Sequence, residues 1–194
     1  MTTLLFASNN EHKAKEIQAA IGNKVIISTL KQAGIQIDIP EPYDSLEANA
    51  LEKVRVIYTL TGKNCMAEDT GLEVAYLKGE PGVKSARYAG VDKSFDRNNE
   101  KLLLELGATT HRGARFRTIM SLLINKKEYT FEGICEGHIG LAPQGHNGFG
   151  YDCLFIPAQS KKTFAEMTIA EKSQFSHRRK ACDKLVLFLQ YGVY

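Results

Sequence analysis

Two adjacent carboxylates inside an apolar run are the first feature of this sequence with chemical content. They are Glu68 and Asp69, in "MAEDTGLEVAYL" at positions 66–77. Burying an unpaired carboxylate is costly, so a strand interior has no use for neighbouring acids unless something cationic is held there. Adjacent strand residues point to opposite faces, and both acids reach one site only if the strand ends beside them. Thr70-Gly71 predicts that ending: the glycine permits a kink, and the threonine hydroxyl can touch a ligand oxygen. Held in a cleft near phosphates, such a carboxylate coordinates Mg²⁺, which keeps several waters and takes one or two carboxylates. An ion pair with a nearby Lys or Arg would account for the same letters.

Three other stretches carry donors or close-approach glycines. "SNNEHK" at positions 8–13 reads as a strand end, a polar turn and a lysine on the first helical turn. Unpaired N–H groups at a helix start, with that lysine, make an anion site. The glycines of a GxxxxGK[ST] loop are absent, and a plain helix cap with a surface lysine would look alike. "GFGYD" at 148–152 sets glycines around an aromatic, so that backbone can approach a flat ligand with Phe149 or Tyr151 as a stacking surface and Asp152 as an acceptor. The alternative there is a glycine turn among core aromatics. "AEMTIAEKSQFSHRRKA" at 165–181 gathers Lys172, His177 and Arg178 at a loop–helix junction, or on a solvated basic helix face.

The elements that must position these residues follow from periodicity. "TTLLFAS" and "KVIIST" are short apolar runs that suit buried strands, and "EHKAKEIQAAIG" between them puts Ile17 and Ile21 on one helical face with Gly22 as a stop. "IDIPEPYDS" is a loop. Ser45 caps a helix carrying Leu46, Ala50, Leu51, Val54, Ile57 and Tyr58 along one stripe. "KGEPGVKSARYAG" is loop-like, and "NNEKLLLELG" is a short helix. "ARFRTIMSLLIN" and "EYTFEGICEGHIG" form a hairpin turning around Lys126 and Lys127. "LAPQGHNGFGYD" is a glycine-rich loop, and "KSQFSHRRKACDKLVLFLQYG" is a terminal helix with Ala181, Leu185, Phe188 and Leu189 facing inward. Strands interleaved with helices, plus a hairpin, predict an α/β fold with a mixed sheet.

Bulk properties narrow the function classes. A chain of 194 residues fits one domain, or one domain with two lobes, and folds without staples. It is 43% hydrophobic and 24% charged, which is globular composition. A net charge of +3, dispersed along the chain, argues against a nucleic-acid or membrane footprint. The four cysteines form no CxxC pair and read as buried free thiols, and no HxxxH or HExxH spacing offers a zinc site. "MTTLLFASNNEHK" lacks the basic start of a secretory signal, and "LVLFL" is too short to span a bilayer, so a cytoplasmic protein is expected.

Taken in order, the motifs resemble those of the inosine triphosphate pyrophosphatase (Ham1-like) family. "SNNEHK" resembles its [ST]-x-N-x-x-K loop, "AEDTGL" its A-[DE]-D-[ST]-G-L segment, and "PGVKSARYAG" its P-G-x-x-S-A-R-Y-x-G loop; "GFGYD" and "AEM…EK…SHR" complete the set. The resemblance runs through nearly the whole chain. It implies a single domain over 1–194: a long twisted mixed sheet flanked by helices, in two lobes with a central cleft, acting as a homodimer. It implies Mg²⁺-dependent hydrolysis of ITP, dITP and XTP to the monophosphate and pyrophosphate, with no nucleic-acid or membrane partner.

Roles transfer by the same resemblance. Ser8, Asn10 and Lys13 would hold the phosphates in a substrate loop that includes Asn9, Glu11 and His12. Asp69 would bind Mg²⁺ and accept the proton of the attacking water, Thr70 would touch the substrate, and Glu41 would be a second metal contact. Phe149, Gly150, Tyr151 and Asp152 would line the base pocket, completed by Lys172, His177 and Arg178. His177 and Arg178 would present donors to the six-position carbonyl of hypoxanthine or xanthine. Three departures stand out: Ala48 where the family's F-x-E-N-A helix has an acid, with Glu47 one step earlier; Lys84 where an aromatic is common; and Cys153 where a proline often follows "GFGYD". The rival readings are a Maf-like pyrophosphatase of other base specificity and a nucleotide- or RNA-binding module without turnover.

Overall fold

The structure, a computed structural model, describes residues 2–191. Strand β1 (Thr2–Phe6) pairs in parallel with β2 (Val25–Thr29) and with β3 (Cys65–Val74). Leu4, Leu5 and Phe6 are all buried, as expected of a strand covered on both faces. Helix α1 (Glu11–Ile21) joins the first two strands; Asn10 caps its start and Gly22, at φ 65°, ends it. Helix α2 (Leu46–Thr61) begins on the Ser45 cap and stops at Gly62 in the left-handed region. Strand β4 (Pro81–Gly82) is antiparallel to β3. Helix α3 (Phe95–Leu106) precedes β5 (Gly113–Ile124) and β6 (Lys127–Ile139), and β7 (Phe155–Pro157) pairs antiparallel with β6. Two helices close the chain, α4 (Ile169–Ser173) and α5 (His177–Tyr191).

The sheet order is β2-β1-β3-β5-β6-β7 with β4 attached to β3, so the expected mixed α/β sheet is present. The chain divides into two compact units. The first takes residues 2–69, 118–133 and 178–191, and its apolar clusters centre on Phe6, Ile17, Met66, Met120 and Leu185 and on Leu30, Val54, Ile57 and Cys65. The second takes 70–117 and 134–177, around Leu72, Leu102, Phe116, Leu154, Phe155 and Phe164. Each such buried side chain contributes roughly 1.5–3 kcal/mol by leaving water. All four cysteines are free thiols, and burial pushes the Cys65 pKa up to about 12, which leaves it unreactive. Among the described residues no helix is long and apolar enough to cross a membrane.

Five local expectations change. Strand β3 does not end at Thr70-Gly71 but runs on to Val74. Gly71 is there for another reason: a Cβ would lie 2.6 Å from the Gly82 carbonyl oxygen of β4, so only glycine lets the two strands approach. The terminal helix is broken, because the Thr168 capping box starts a separate short helix, α4, and α5 begins only at His177; Gly192 lies outside the described residues. The loop after β3 contains β4, and α3 starts at Phe95 on a Ser94 cap rather than at Asn98. The hairpin turn is Asn125-Lys126, both at positive φ as a two-residue hairpin requires.

Candidate active site

The first unit gathers seven charged groups around the middle of β3. Lys53 projects from α2; its Nζ donates to Asp69 Oδ1 at 2.9 Å and to the Glu68 carbonyl at 3.2 Å, and pairs with Glu41 at 2.6 Å. Lys13, from the first turn of α1, pairs with Glu68 at 2.9 Å. Arg178, at the start of the first unit's last segment, donates to both oxygens of Glu68 and also to Glu16. Glu68 and Asp69 thus serve different partners, as opposite-facing neighbours on an unbroken strand must. Four carboxylates (Glu16, Glu41, Glu68, Asp69) meet three cations (Lys13, Lys53, Arg178).

Electrostatics separate the two central acids. Burial pushes the Glu68 pKa up, but Arg178 and Lys13 outweigh it and hold this carboxyl well below the usual range. Burial raises the Asp69 pKa, Lys53 and Lys13 offset only part of the rise, and Glu41 adds to it. Asp69 is therefore the stronger base of the two. Burial pulls Lys53 down, yet Asp69 and Glu41 leave its pKa raised, so it stays an ammonium ion. The surplus carboxylate, with Asp69 and Glu41 on one ammonium, suits a hard cation that takes one or two carboxylates. Among the described residues no cluster of three or more His, Cys, Asp or Glu adds to that pair.

The loop before α1 is held by its own side chains. The Asn10 N–H donates to Ser8 Oγ, Asn10 Oδ1 caps Lys13 N–H at 3.1 Å, and Asn9 Oδ1 accepts from Lys31 N–H at 2.9 Å. Glu11 and His12 are exposed on the first turn. Lys13 is the cation of this loop that reaches the buried acids.

The second unit assembles the other motif residues. Asp152 Oδ2 accepts from Lys172 Nζ at 2.6 Å and from the Phe149 N–H at 2.9 Å. A Cβ on Gly148, at φ 76°, would lie 2.1 Å from that oxygen, so the carboxylate folds over a position only glycine can fill. Lys172 also lies 5.5 Å from the Phe149 ring centroid. His177 is buried and stacks on Phe116 at 4.7 Å. Thr70 and Gly150 are half-buried.

Two expected base-pocket residues are used otherwise. Tyr151 is buried in the core, and its hydroxyl donates to the Ser85 carbonyl at 2.8 Å, so it is no stacking surface. Arg178 does not join His177 as a base donor: its guanidinium is 2% exposed and committed to Glu68 and Glu16. Sequence reasoning also missed Lys53, Glu16 and Asn49. Lys53 lies at helical spacing from Leu46, Ala50 and Ile57, and a lysine on an apolar stripe was the available signal. Asn49 clasps the loop bearing Glu41 through both the N–H and carbonyl of Tyr43. Glu16 follows Lys13 by one turn, a spacing too common to stand out.

A buried acid–ammonium cluster around strand β3 of a mixed sheet in the first unit, and in the second a glycine loop clasped by a lysine and an aspartate, define an α/β protein with the charged groups to handle anions. Residues 4–188 match the Ham1 family. The chain is 43% identical over 187 residues to the dITP/XTP pyrophosphatase of Flavobacterium psychrophilum, covering 96% of this chain and 98% of that one. It is 45% identical over 190 residues to the dITP/XTP pyrophosphatase of Porphyromonas gingivalis, covering 97% and 98%. The Staphylococcus aureus Ham1 protein superposes with a TM-score of 0.87 at 37% identity, over 97% of this chain and 98% of that one. This chain belongs to the Ham1 family.

Proposed function

We propose that the protein hydrolyses non-standard purine nucleoside triphosphates (ITP, dITP and XTP) to the monophosphate and pyrophosphate, as the names of its relatives suggest. One observation carries the reading most directly: Asp69 is a buried carboxylate 2.9 Å from Lys53 Nζ, with Glu41 on the same ammonium at 2.6 Å. Such a carboxylate is a better proton acceptor near neutral pH than a solvated one.

In this reading Lys13 takes phosphate oxygens at the start of α1. Asp69 accepts a proton from the water whose oxygen bonds to the α-phosphorus, while the bond from that phosphorus to its bridging oxygen breaks and pyrophosphate leaves. Mg²⁺, held by Asp69 and Glu41 when bound, would supply neutralisation of the phosphate charge. Lys53 keeps those two acids together, and Arg178 keeps Glu68 on Lys13. In the second unit Phe149 stacks on the purine, Lys172 and Asp152 fix its loop, and the half-buried Thr70 and Gly150 complete the substrate contacts, while His177, buried against Phe116, supports them from the core. The two units serve as one catalytic domain, in a homodimer in the cytoplasm; four free thiols fit that reducing compartment.

The experiment is a nucleotide panel with Mg²⁺, scored for pyrophosphate against orthophosphate. Pyrophosphate from ITP, dITP and XTP, with ATP slow, is expected. Orthophosphate as the first product from ITP would overturn the chemistry.

A further inference from the structure

The loop Gly148–Cys153 does not stand by itself. Helix α3 presents two residues one turn apart to it, Phe95 and Asn99. The Phe95 ring lies 6.2 Å from the Phe149 ring at a tilt of 46°, and the Asn99 amide Nδ2 donates to the Gly150 carbonyl at 3.1 Å and to Cys153 Sγ at 3.3 Å. The spacing i, i+4 puts both contacts on one helical face. Phe149 is thus bounded by Phe95 and by Lys172, and the backbone that follows it is tied to α3 through one side chain.

We propose that Asn99 is a positioning residue for base binding, acting through the Gly150 carbonyl and the Cys153 sulfur to fix where Phe149 stands. This rests on the proposed function, in which Phe149 stacks on the purine.

The amide's other end favours this over plain packing. Asn99 is 6% exposed, and its Oδ1 has no hydrogen-bond partner among the described residues. An orphaned buried acceptor costs stability, and an apolar residue of the same size removes that cost. What an apolar residue cannot do is hold the Gly150 carbonyl. At this position stability and placement of the loop therefore pull in opposite directions, as they do at functional sites. The sulfur acceptor is available because residue 153 is a cysteine, whose thiol burial keeps protonated by raising its pKa.

The test compares Asn99→Leu, Asn99→Ala and Cys153→Ala with the wild type, using ITP and Mg²⁺. The readouts are kcat, KM, thermal midpoint and inhibition by magnesium pyrophosphate, which reads the Lys13 side. Asn99→Leu is expected to raise KM for ITP by about three- to tenfold, the scale of one lost hydrogen bond, with kcat within about twofold. Its melting point should stay close to the wild type's, since the orphaned Oδ1 is removed along with the bond to Gly150, and pyrophosphate inhibition should be unchanged. Cys153→Ala should shift KM in the same direction by less. Unchanged KM in both Asn99 variants, or activity that falls only with the folded fraction, overturns the role of Asn99. If Asn99→Leu does not fold, Asn99→Ala and Cys153→Ala decide by the same criterion. Wild-type protein that releases no pyrophosphate from ITP sinks the proposed function instead, so the two failures are distinct.

Discussion

Arg178 grips Glu68 with two parallel hydrogen bonds, from Nε at 2.7 Å and Nη2 at 3.0 Å, across 110 positions of sequence. Both groups are buried, and the remaining Nη1 goes to Glu16. A two-pronged pair of this kind locks both side chains in one orientation. Lys13, which shares Glu68, is oriented with them. Arg178→Met should therefore destabilise the protein by roughly 3–5 kcal/mol, the cost of stranding a buried charge. Urea unfolding measures it, and a loss below about 1 kcal/mol would show that the pair is not what holds Glu68.

The same pair sets an acid limit. Glu68 has a depressed pKa in the folded protein, so its contribution to stability is fully present above the ordinary glutamate value of about 4.3 and is lost as pH falls below it. Stability of the wild type should drop between roughly pH 4 and the lower folded-state pKa, and Glu68→Gln should flatten that part of the profile while starting lower at pH 7. An identical acid slope in the variant would remove Glu68 as its source.

Asp69→Asn should abolish turnover and leave a folded protein. The amide keeps the size of the side chain and one acceptor for Lys53, but takes no proton and offers no charge to a cation. Losing a general base costs roughly 10²- to 10⁴-fold, and losing the metal contact adds to that. Circular dichroism checks the fold and pyrophosphate release checks the rate; hydrolysis near the wild-type rate at saturating Mg²⁺ would exclude Asp69 as the base.

Base choice should separate Phe149 from Tyr151. ITP, dITP and XTP are expected to exceed ATP in kcat/KM by at least about a hundredfold, the scale on which a site that hydrogen-bonds a six-position carbonyl rejects an amino group there. Phe149→Ala should lower kcat/KM for all purines together, since stacking does not discriminate. Tyr151→Phe removes only the bond to Ser85, so it should cost about 0.5–1.5 kcal/mol of stability and leave the ITP-to-ATP ratio alone. A ratio near one in the wild type, or one that collapses in Tyr151→Phe, contradicts this division.

Local signals carried much of the architecture. Ser45, Asn10, Gly22 and Gly62 mark helix ends by chemistry confined to one turn, and Ile17 with Ile21 shows a buried face by spacing alone. Asp69, Lys13 and the Gly148–Asp152 loop could be picked out for the same reason: acids in an apolar strand, a lysine after a polar turn and paired glycines are all local anomalies. Partnership is not local. Lys53 looked like any helical lysine until α2 set it against Asp69 and Glu41, and Arg178 was expected to face the base until its helix carried it to a carboxylate in β3. Strand β3 continues past Gly71 because β4 lies against it, pairing Leu72 with Gly82 and Glu73 with Pro81, and no neighbour of Gly71 in sequence announces that contact. Sequence determined which residues are charged and where α1 and α2 begin and end. The tertiary structure alone decided which charges neutralise one another, because burial makes an ion pair obligatory only after distant segments have been packed around it.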